Sequence, residues 1–312
     1  MKDLAIVIPA YRSRFLRETL DSLVAQTCRD FTVYVGDDAS RDPIGAVVGE
    51  YADRLDVVYQ RFDTNLGSTD LVGQWERCVA LTRGERWLWL FSDDDVMEPE
   101  CVARFYAAAT AAPEQGLFHF QTTVIEAHGG PTETRQFLKA DFPPHLVPVE
   151  FLLRRLRYEV SSFVVEYVFR RDLLEATGGF VRYDLAWSSD DATWYRMAVA
   201  GGGIASIEGA RVRWRKSDSN ITPARDHDTS LRKLRATIDF LADHAEAVRS
   251  QAGGSHVLRR YILHQLLNSC EHLSTGEVSA QLADFSRRVA PISPLLRRPI
   301  AALLKTLNRI RS

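Results

Sequence analysis

The chain has 312 residues, 46% apolar and 26% charged, with a formal net charge of -2. That is the make-up of an ordinary soluble globular protein, long enough for one large domain with an appendage. A near-neutral balance gives no reason to expect nucleic acid as a partner. Cys28, Cys78, Cys101 and Cys270 lie far apart and form no Cys-x-x-Cys pair. This argues against a zinc ribbon or a disulfide framework and suits a reducing compartment. The start of the chain has neither the apolar core nor the cleavage site of a signal peptide, and no stretch approaches the ~20 apolar residues that span a bilayer. The expectation is a cytoplasmic protein, soluble or peripheral on the inner face of the membrane.

Leu4-Ala5-Ile6-Val7-Ile8, closed by Pro9, is a short continuous apolar run, as expected of a strand buried on both faces. Phe15, Leu16, Thr19, Leu20, Leu23 and Val24 then recur at helical spacing, with Ser13 placed to cap. Phe31–Val35 is a second strand, ending at Gly36-Asp37-Asp38. The alternation continues with a helix at Ile44–Tyr51, a strand at Val57–Tyr59, a helix at Leu71–Leu81 and a strand at Trp87–Phe91. It predicts an α/β fold with one mostly parallel sheet flanked by helices. Further strands are expected at Leu117–Ile125 and Phe163–Phe169, around a loop-rich stretch, Gly129–Pro148, suited to a lid or acceptor contacts. Thr177-Gly178-Gly179 stops one helix, and Ser189-Asp190-Asp191 opens another that ends at Gly201-Gly202-Gly203. Neither Gly-x-Gly-x-x-Gly nor a P-loop follows the first strand.

Beyond about Asp226 the chain becomes helical, with Leu231–Val248, His256–Leu273 and Val278–Val289 as elements. From Arg287 to Arg311 there are seven basic residues and no acidic ones. Residues Ile292–Ile310 interleave leucines with Arg and Lys, a pattern for an amphipathic helix lying on an anionic membrane or packed on a protein surface. Pro299 is expected only near its first turn. The domains are therefore expected at 1–225 and 226–312.

Ligands of such sheets bind beyond the carboxyl ends of the strands. Pro9-Ala10-Tyr11, Asp37-Asp38 and Asp93-Asp94-Asp95 all fall at that edge. Three consecutive carboxylates after a buried strand repel one another and call for a cation, and Mg²⁺ commonly takes one or two carboxylates plus substrate phosphates. The bland reading is a solvated, Asp-rich turn before the helix near Pro99. Asp190 and Asp191 could be dipole partners of their helix or a general base in a semi-apolar site.

Together these pieces resemble the family 2 inverting glycosyltransferases. The resemblance lies in Ile6-Val7-Ile8-Pro9-Ala10-Tyr11, Gly36-Asp37-Asp38, Asn65-Leu66-Gly67, Ser92-Asp93-Asp94-Asp95, Gly178-Gly179-Phe180 and Ser189-Asp190-Asp191, in order over residues 4–220. It implies the GT-A fold and a metal-dependent transfer, using Mn²⁺ or Mg²⁺, from a nucleotide sugar of UDP or dTDP type. The acceptor would be a glycan or lipid-linked hydroxyl, in surface polysaccharide synthesis. It further implies that Tyr11 stacks on the nucleobase, Asp38 accepts from its imide and Asp37 supports it, with Pro9, Asn65 and Gly67 shaping the pocket. Asp93 would lie nearest the ribose or sugar and Asp94 would be the main metal ligand, with Asp95 beside it. Ser92 stands where many members have the first Asp. Asp190 occupies the usual base position, with Asp191 its alternative, and the basic segment Trp214-Arg215-Lys216-Ser217 … Asn220 could hold the departing diphosphate, or Arg215 could be a solvated residue of an edge strand. A sugar nucleotidyltransferase would carry a Gly-rich basic loop where Ala10-Tyr11-Arg12-Ser13 stands. A non-catalytic nucleotide-sugar-binding protein would not need Asp38, Asp94 and Asp190 together.

Overall fold

The structure is a computed structural model and describes residues 2–133, 139–217 and 226–311. Asn220 and part of the expected lid, 134–138, lie outside the described residues. The chain forms two compact units. One comprises Met1–Pro148, Val160–Val181 and Thr193–Ser217, and the other Val149–Glu159, Arg182–Ala192 and Asp218–Ser312.

The first unit is built on a single nine-stranded sheet. Its strands are β1 (Leu4–Ala10), β2 (Phe31–Asp37), β3 (Val57–Arg61), β4 (Trp87–Leu90), β5 (Val96–Met97), β6 (Leu117–Glu126), β7 (His145–Leu146), β8 (Tyr167–Arg170) and β9 (Ile204–Lys216). The order is β3-β2-β1-β4-β8-β6-β9-β5, with β7 also paired to β9. The first four strands are parallel, as the unbroken apolar runs Leu4–Ile8 and Trp87–Leu90 require. Every residue of both runs is buried. Antiparallel β8 then reverses the direction between β4 and β6, and β6 and β9 run parallel. The core includes Trp89, whose indole N–H donates to Val165 O (2.8 Å) and whose ring stacks on Phe120 with centres 4.9 Å apart.

Two local expectations change. The first helix begins at Leu16 without a side-chain cap, because the Ser13 hydroxyl donates to Asp42 Oδ2 (3.1 Å) instead. The run Phe163–Phe169 is strand only from Tyr167. Glu166 folds back to accept from Phe163 N (2.9 Å), and that bond closes a turn of 3-10 helix over Val164–Glu166.

The second unit is helical: His227–Arg249, Gly254–Ser269, Thr275–Arg288 and Pro294–Arg311, with most of Pro148–Leu156 and the start of Ser189–Gly201. Asp226 caps the first by accepting from Thr229 N (2.9 Å), and Ser274 with Glu277 forms a capping box on the third. Pro299 sits inside the last helix, beyond its first turn, because that helix already starts at Pro294. Ala301 and Leu304 of this helix are buried, while Leu295, Leu296, Leu303 and Leu307 are exposed. Among the described residues no helix is long and apolar enough to cross a membrane. All four cysteines are unpaired.

Candidate functional site

In the first unit, three strand ends are knitted together by carboxylates. Asp93, just past β4, accepts from Tyr11 N (2.8 Å) and Arg12 N (2.9 Å) and so fastens the end of β1. Ser40 closes the other side, its hydroxyl donating to Tyr11 O (2.5 Å) while its N–H donates to Asp37 Oδ1 (2.8 Å). Asp37 is fully buried, and its other oxygen accepts from Tyr59 (2.7 Å) and Arg61 (2.8 Å). It organises the edge from below. Asp38 accepts from Leu66 N (2.7 Å), Gly67 N (2.9 Å) and the Arg77 guanidinium. A carboxylate has about four lone-pair sites, so one remains for a ligand. Gly67 can be no other residue without rearrangement, since a Cβ there would lie 2.7 Å from Asp38 Oδ2. Asn65 Oδ1 accepts from Ser68 N (3.0 Å) and sets this turn. Pro9 is half-buried in β1, opposite Gly36. The Tyr11 ring projects from the edge, 42% exposed.

The acidic loop itself is crowded. Burial, then the charge of Asp94, pushes Asp93 up to about 7. Burial also raises Asp94, against the pull of Ser92, Arg215 and Ser217, and the Ser92 hydroxyl donates to Asp94 Oδ1 (2.5 Å). Asp95 is 1% exposed and raised well above the usual range by burial and by Asp94. Arg215 is the counter-charge. It is 1% exposed on β9, a strand paired on both sides, so it is not a solvated edge residue. Its backbone N–H donates to Asp95 Oδ1 (2.6 Å), and its guanidinium reaches Asp94 O (2.8 Å), Ala127 O (3.1 Å) and Glu18 (2.6 Å). Arg215 therefore offsets Asp94 and Asp95, and Glu18 shares its charge. Among the described residues no group of three or more His, Cys, Asp or Glu side chains is arranged to hold a metal. The half-buried Asp93–Asp94 pair, each raised by burial, nevertheless fits a hard cation that completes its sphere with substrate phosphates.

In the second unit, Asp190 and Asp191 are sharply distinguished. Asp191 is buried and held bidentately by Arg155, with Nη2–Oδ2 at 2.8 Å and Nε–Oδ1 at 3.0 Å. Asp190 is not gripped in this way, and its Oδ1 accepts from Asp191 N (2.9 Å). Burial, and then the Asp191 charge, pushes it up to about 7. The turn that presents the pair is strained. Leu185, Ala186 and Ser188 have φ of 57°, 52° and 66°, a left-handed conformation costly for residues with a Cβ. Helix His227–Arg249 holds it there. Arg232 clasps Asp184 (2.6 and 2.8 Å), Thr237 accepts from the Trp187 indole (3.1 Å), Lys233 lies 4.6 Å over the Trp187 ring, and Asp243 accepts from Tyr183 (2.7 Å). Arg155 was not legible in the sequence: in an amphipathic helix it reads as a solvated residue, and its partner is 36 positions away.

A sheet whose acidic strand ends converge on one edge, flanked by helices, is the architecture of a GT-A glycosyltransferase. The family model for glycosyl transferase family 2 matches residues 5–166, just over half of the chain, and the chain belongs to that family. It is a glycosyltransferase. The fold is shared with TarS 1-349 of S. aureus, solved in complex with UDP-GlcNAc. The two are 17% identical at a TM-score of 0.69, over 99% of this chain and 89% of that one. A mannosyltransferase, PcManGT from Pyrobaculum calidifontis, solved in complex with GDP-Man and Mn2+, is 18% identical at a TM-score of 0.53, over 99% and 80%. Comparison with curated proteins gives no match.

Proposed function

We propose that this enzyme is a divalent-metal-dependent, inverting glycosyltransferase that moves a sugar from a nucleotide diphosphate sugar to a hydroxyl of a glycan or lipid-linked acceptor. The observation that carries the reading is the pairing of half-buried Asp93 and Asp94 at the sheet edge, one fixing the ends of β1 and β4 and the other turned to the Ser92 hydroxyl. The neighbours' UDP-GlcNAc, and GDP-Man with Mn2+, support a nucleotide-sugar donor and a divalent ion.

Tyr11, exposed on that edge, stacks on the base, and Asp38 uses its remaining lone pair on the ring imide. Pro9, Asn65 and Gly67 shape that pocket around Asp37. Asp94 would be the main ligand of Mn²⁺ or Mg²⁺, with Asp93 beside it nearest the ribose or sugar, while Asp95, which was expected to share the ion, is buried behind them with Arg215 and sets the loop and its charge. The bound ion would supply Lewis-acid neutralisation of the leaving diphosphate. Asp190 takes the proton of the attacking acceptor hydroxyl. A base raised to about 7 is matched to that work, since it is ionised at working pH yet basic enough to accept. A single base acting in one displacement inverts the anomeric centre. Residues 1–225 carry the transfer chemistry in this reading and 226–312 a helical region. The exposed Leu295, Leu296, Leu303 and Leu307, with no acid from Arg287 to Arg311, suit a peripheral contact with an anionic inner membrane face, where surface polysaccharide acceptors would be met.

The test is incubation with Mn²⁺ and a panel of nucleotide sugars, with release of nucleoside diphosphate followed. Release that depends on the ion and on Asp94 supports the reading. A protein that binds no nucleotide, with or without metal, overturns it.

A further inference from the structure

The helix Pro148–Leu156, which carries Arg155, ends in a way its sequence does not favour. Tyr158 N donates to Arg155 O (3.0 Å) and Glu159 N to Arg154 O (2.9 Å). Those two bonds close a Schellman turn, whose left-handed residue is ordinarily glycine. Here it is Tyr158, at φ 61°. A Cβ is disfavoured in that conformation, so the side chain must contribute something that glycine would not.

Its contribution is a clasp on a second helix of the same unit, Gly254–Ser269. The Tyr158 ring stacks on Tyr261 with centres 5.2 Å apart and meets the His264 ring at 4.5 Å. Its hydroxyl accepts from Gln265 Nε2 (3.0 Å). His264 and Gln265 stand three and four positions beyond Tyr261, so one helix face receives the whole side chain. Burial pushes both phenols up, Tyr261 to about 12, and both stay neutral. The clasp is therefore one of packing rather than charge.

It lies beside the Asp190–Asp191 pair. Arg155 gives its carbonyl to the Tyr158 turn and its guanidinium to both oxygens of Asp191. The groups that face the two aspartates come from three helices: Arg155 from Pro148–Leu156, Tyr261 from Gly254–Ser269 and His244 from His227–Arg249. Burial holds His244 below its ordinary range, and Tyr261 is neutral, which leaves Arg155 as the cation of this set. Arg232 is engaged by Asp184, and Lys233 lies over the Trp187 ring. The charge balance at Asp190 therefore turns on where the end of Pro148–Leu156 sits.

We propose that Tyr158 is a positioning residue, whose side chain, clasped by Tyr261, His264 and Gln265, fixes the end of its helix so that Arg155 stays seated on Asp191 beside Asp190. The clasp bears on turnover through the base role proposed for Asp190, and rests on that reading there, but its effect on the Asp190 carboxyl does not depend on it.

The experiment follows the Asp190 titration midpoint by carbon NMR of the side-chain carboxyls in the full chain without substrate, the signal being assigned by its loss in Asp190→Asn. Tyr158→Gly removes the ring and suits the left-handed turn. A tyrosine that only ended the helix could be replaced in this way with no change at Asp190. The positioning role instead gives a midpoint higher by about 0.5–1 pH unit, because Arg155 loosens and its pull on the carboxyl weakens. Below that midpoint the shift reads as about a three- to tenfold loss of kcat/KM for nucleoside diphosphate release, recovered at higher pH. Tyr158→Phe keeps the ring and should stay close to the wild type. An unchanged midpoint in a folded Tyr158→Gly, or an equal shift in Tyr158→Phe, overturns the proposal. Tyr158→Asn also accepts the left-handed turn and repeats the test should the glycine variant not fold. Loss of fold in both overturns the proposal too, since the ring then serves the fold at large. A shifted midpoint that the pH profile of turnover does not follow removes Asp190 as the base and leaves the clasp standing.

Discussion

Both acidic clusters are runs of adjacent aspartates, yet their surroundings treat them differently. In Asp93-Asp94-Asp95 the neighbours are mostly backbone N–H groups, and one buried arginine serves Asp94 and Asp95. The charge is left under-compensated, which suits a cation arriving with substrate. In Asp190-Asp191 a single guanidinium grips one carboxylate with two bonds and leaves the other pushed toward neutrality. Identical side chains thus acquire separate environments, one fixed in an ion pair and one raised toward neutrality, which is the division the proposed base role of Asp190 needs. What divides them is the position of one arginine.

The comparison breaks most severely at Asp94. Asp94→Asn should give no transfer above background at any Mn²⁺ concentration, measured as nucleoside diphosphate release, because in the proposed reading the cation would lose its main anionic ligand. Asp190→Asn should lower kcat by about 10²–10⁴-fold, the usual worth of a general base, with nucleotide binding by calorimetry unchanged. Near-normal turnover in Asp190→Asn together with an inactive, folded Asp191→Asn would move the base by one residue.

Asp191→Asn should act on stability. It leaves the Arg155 guanidinium without its carboxylate in a largely buried position and should cost about 3–5 kcal/mol, visible as a lower denaturant midpoint. The pH profile sharpens the same contrast. As the proposed base, Asp190 would work only when ionised, so kcat/KM should rise as pH increases through about 7 and then level off. Because Arg155 draws the Asp190 pKa down, Arg155→Gln should move that acid limb to higher pH. The smallest effect is expected from Gly67→Ala. The added Cβ would press on Asp38, costing about 1–3 kcal/mol in overpacking and weakening nucleotide binding without altering the pH profile.

The strand ends were legible because, in an α/β chain, an uninterrupted apolar run followed by acids marks a buried strand reaching the edge of its sheet. Trp87–Leu90 and Leu4–Ile8 announce both the parallel sheet and the edge where Asp93 and Tyr11 meet. The partnerships were not. Asp37 and Asp38 look equivalent in the sequence, and only the fold shows Tyr59 and Arg61 closing on the first and the Leu66-Gly67 turn on the second. The antiparallel reversal at β8 escaped for a related reason, since periodicity reports burial and not direction.

The left-handed turn at Leu185–Ser188 has a bearing on how the chain tolerates trimming. Four contacts from helix His227–Arg249 hold that turn in a conformation it would not keep alone. A chain cut short at residue 225 would keep Asp190 in its sequence and lose the splint that aims it. Inherited changes at Thr237, Lys233 or Arg232, far along the chain from any acid of the site, would then present as lesions of turnover.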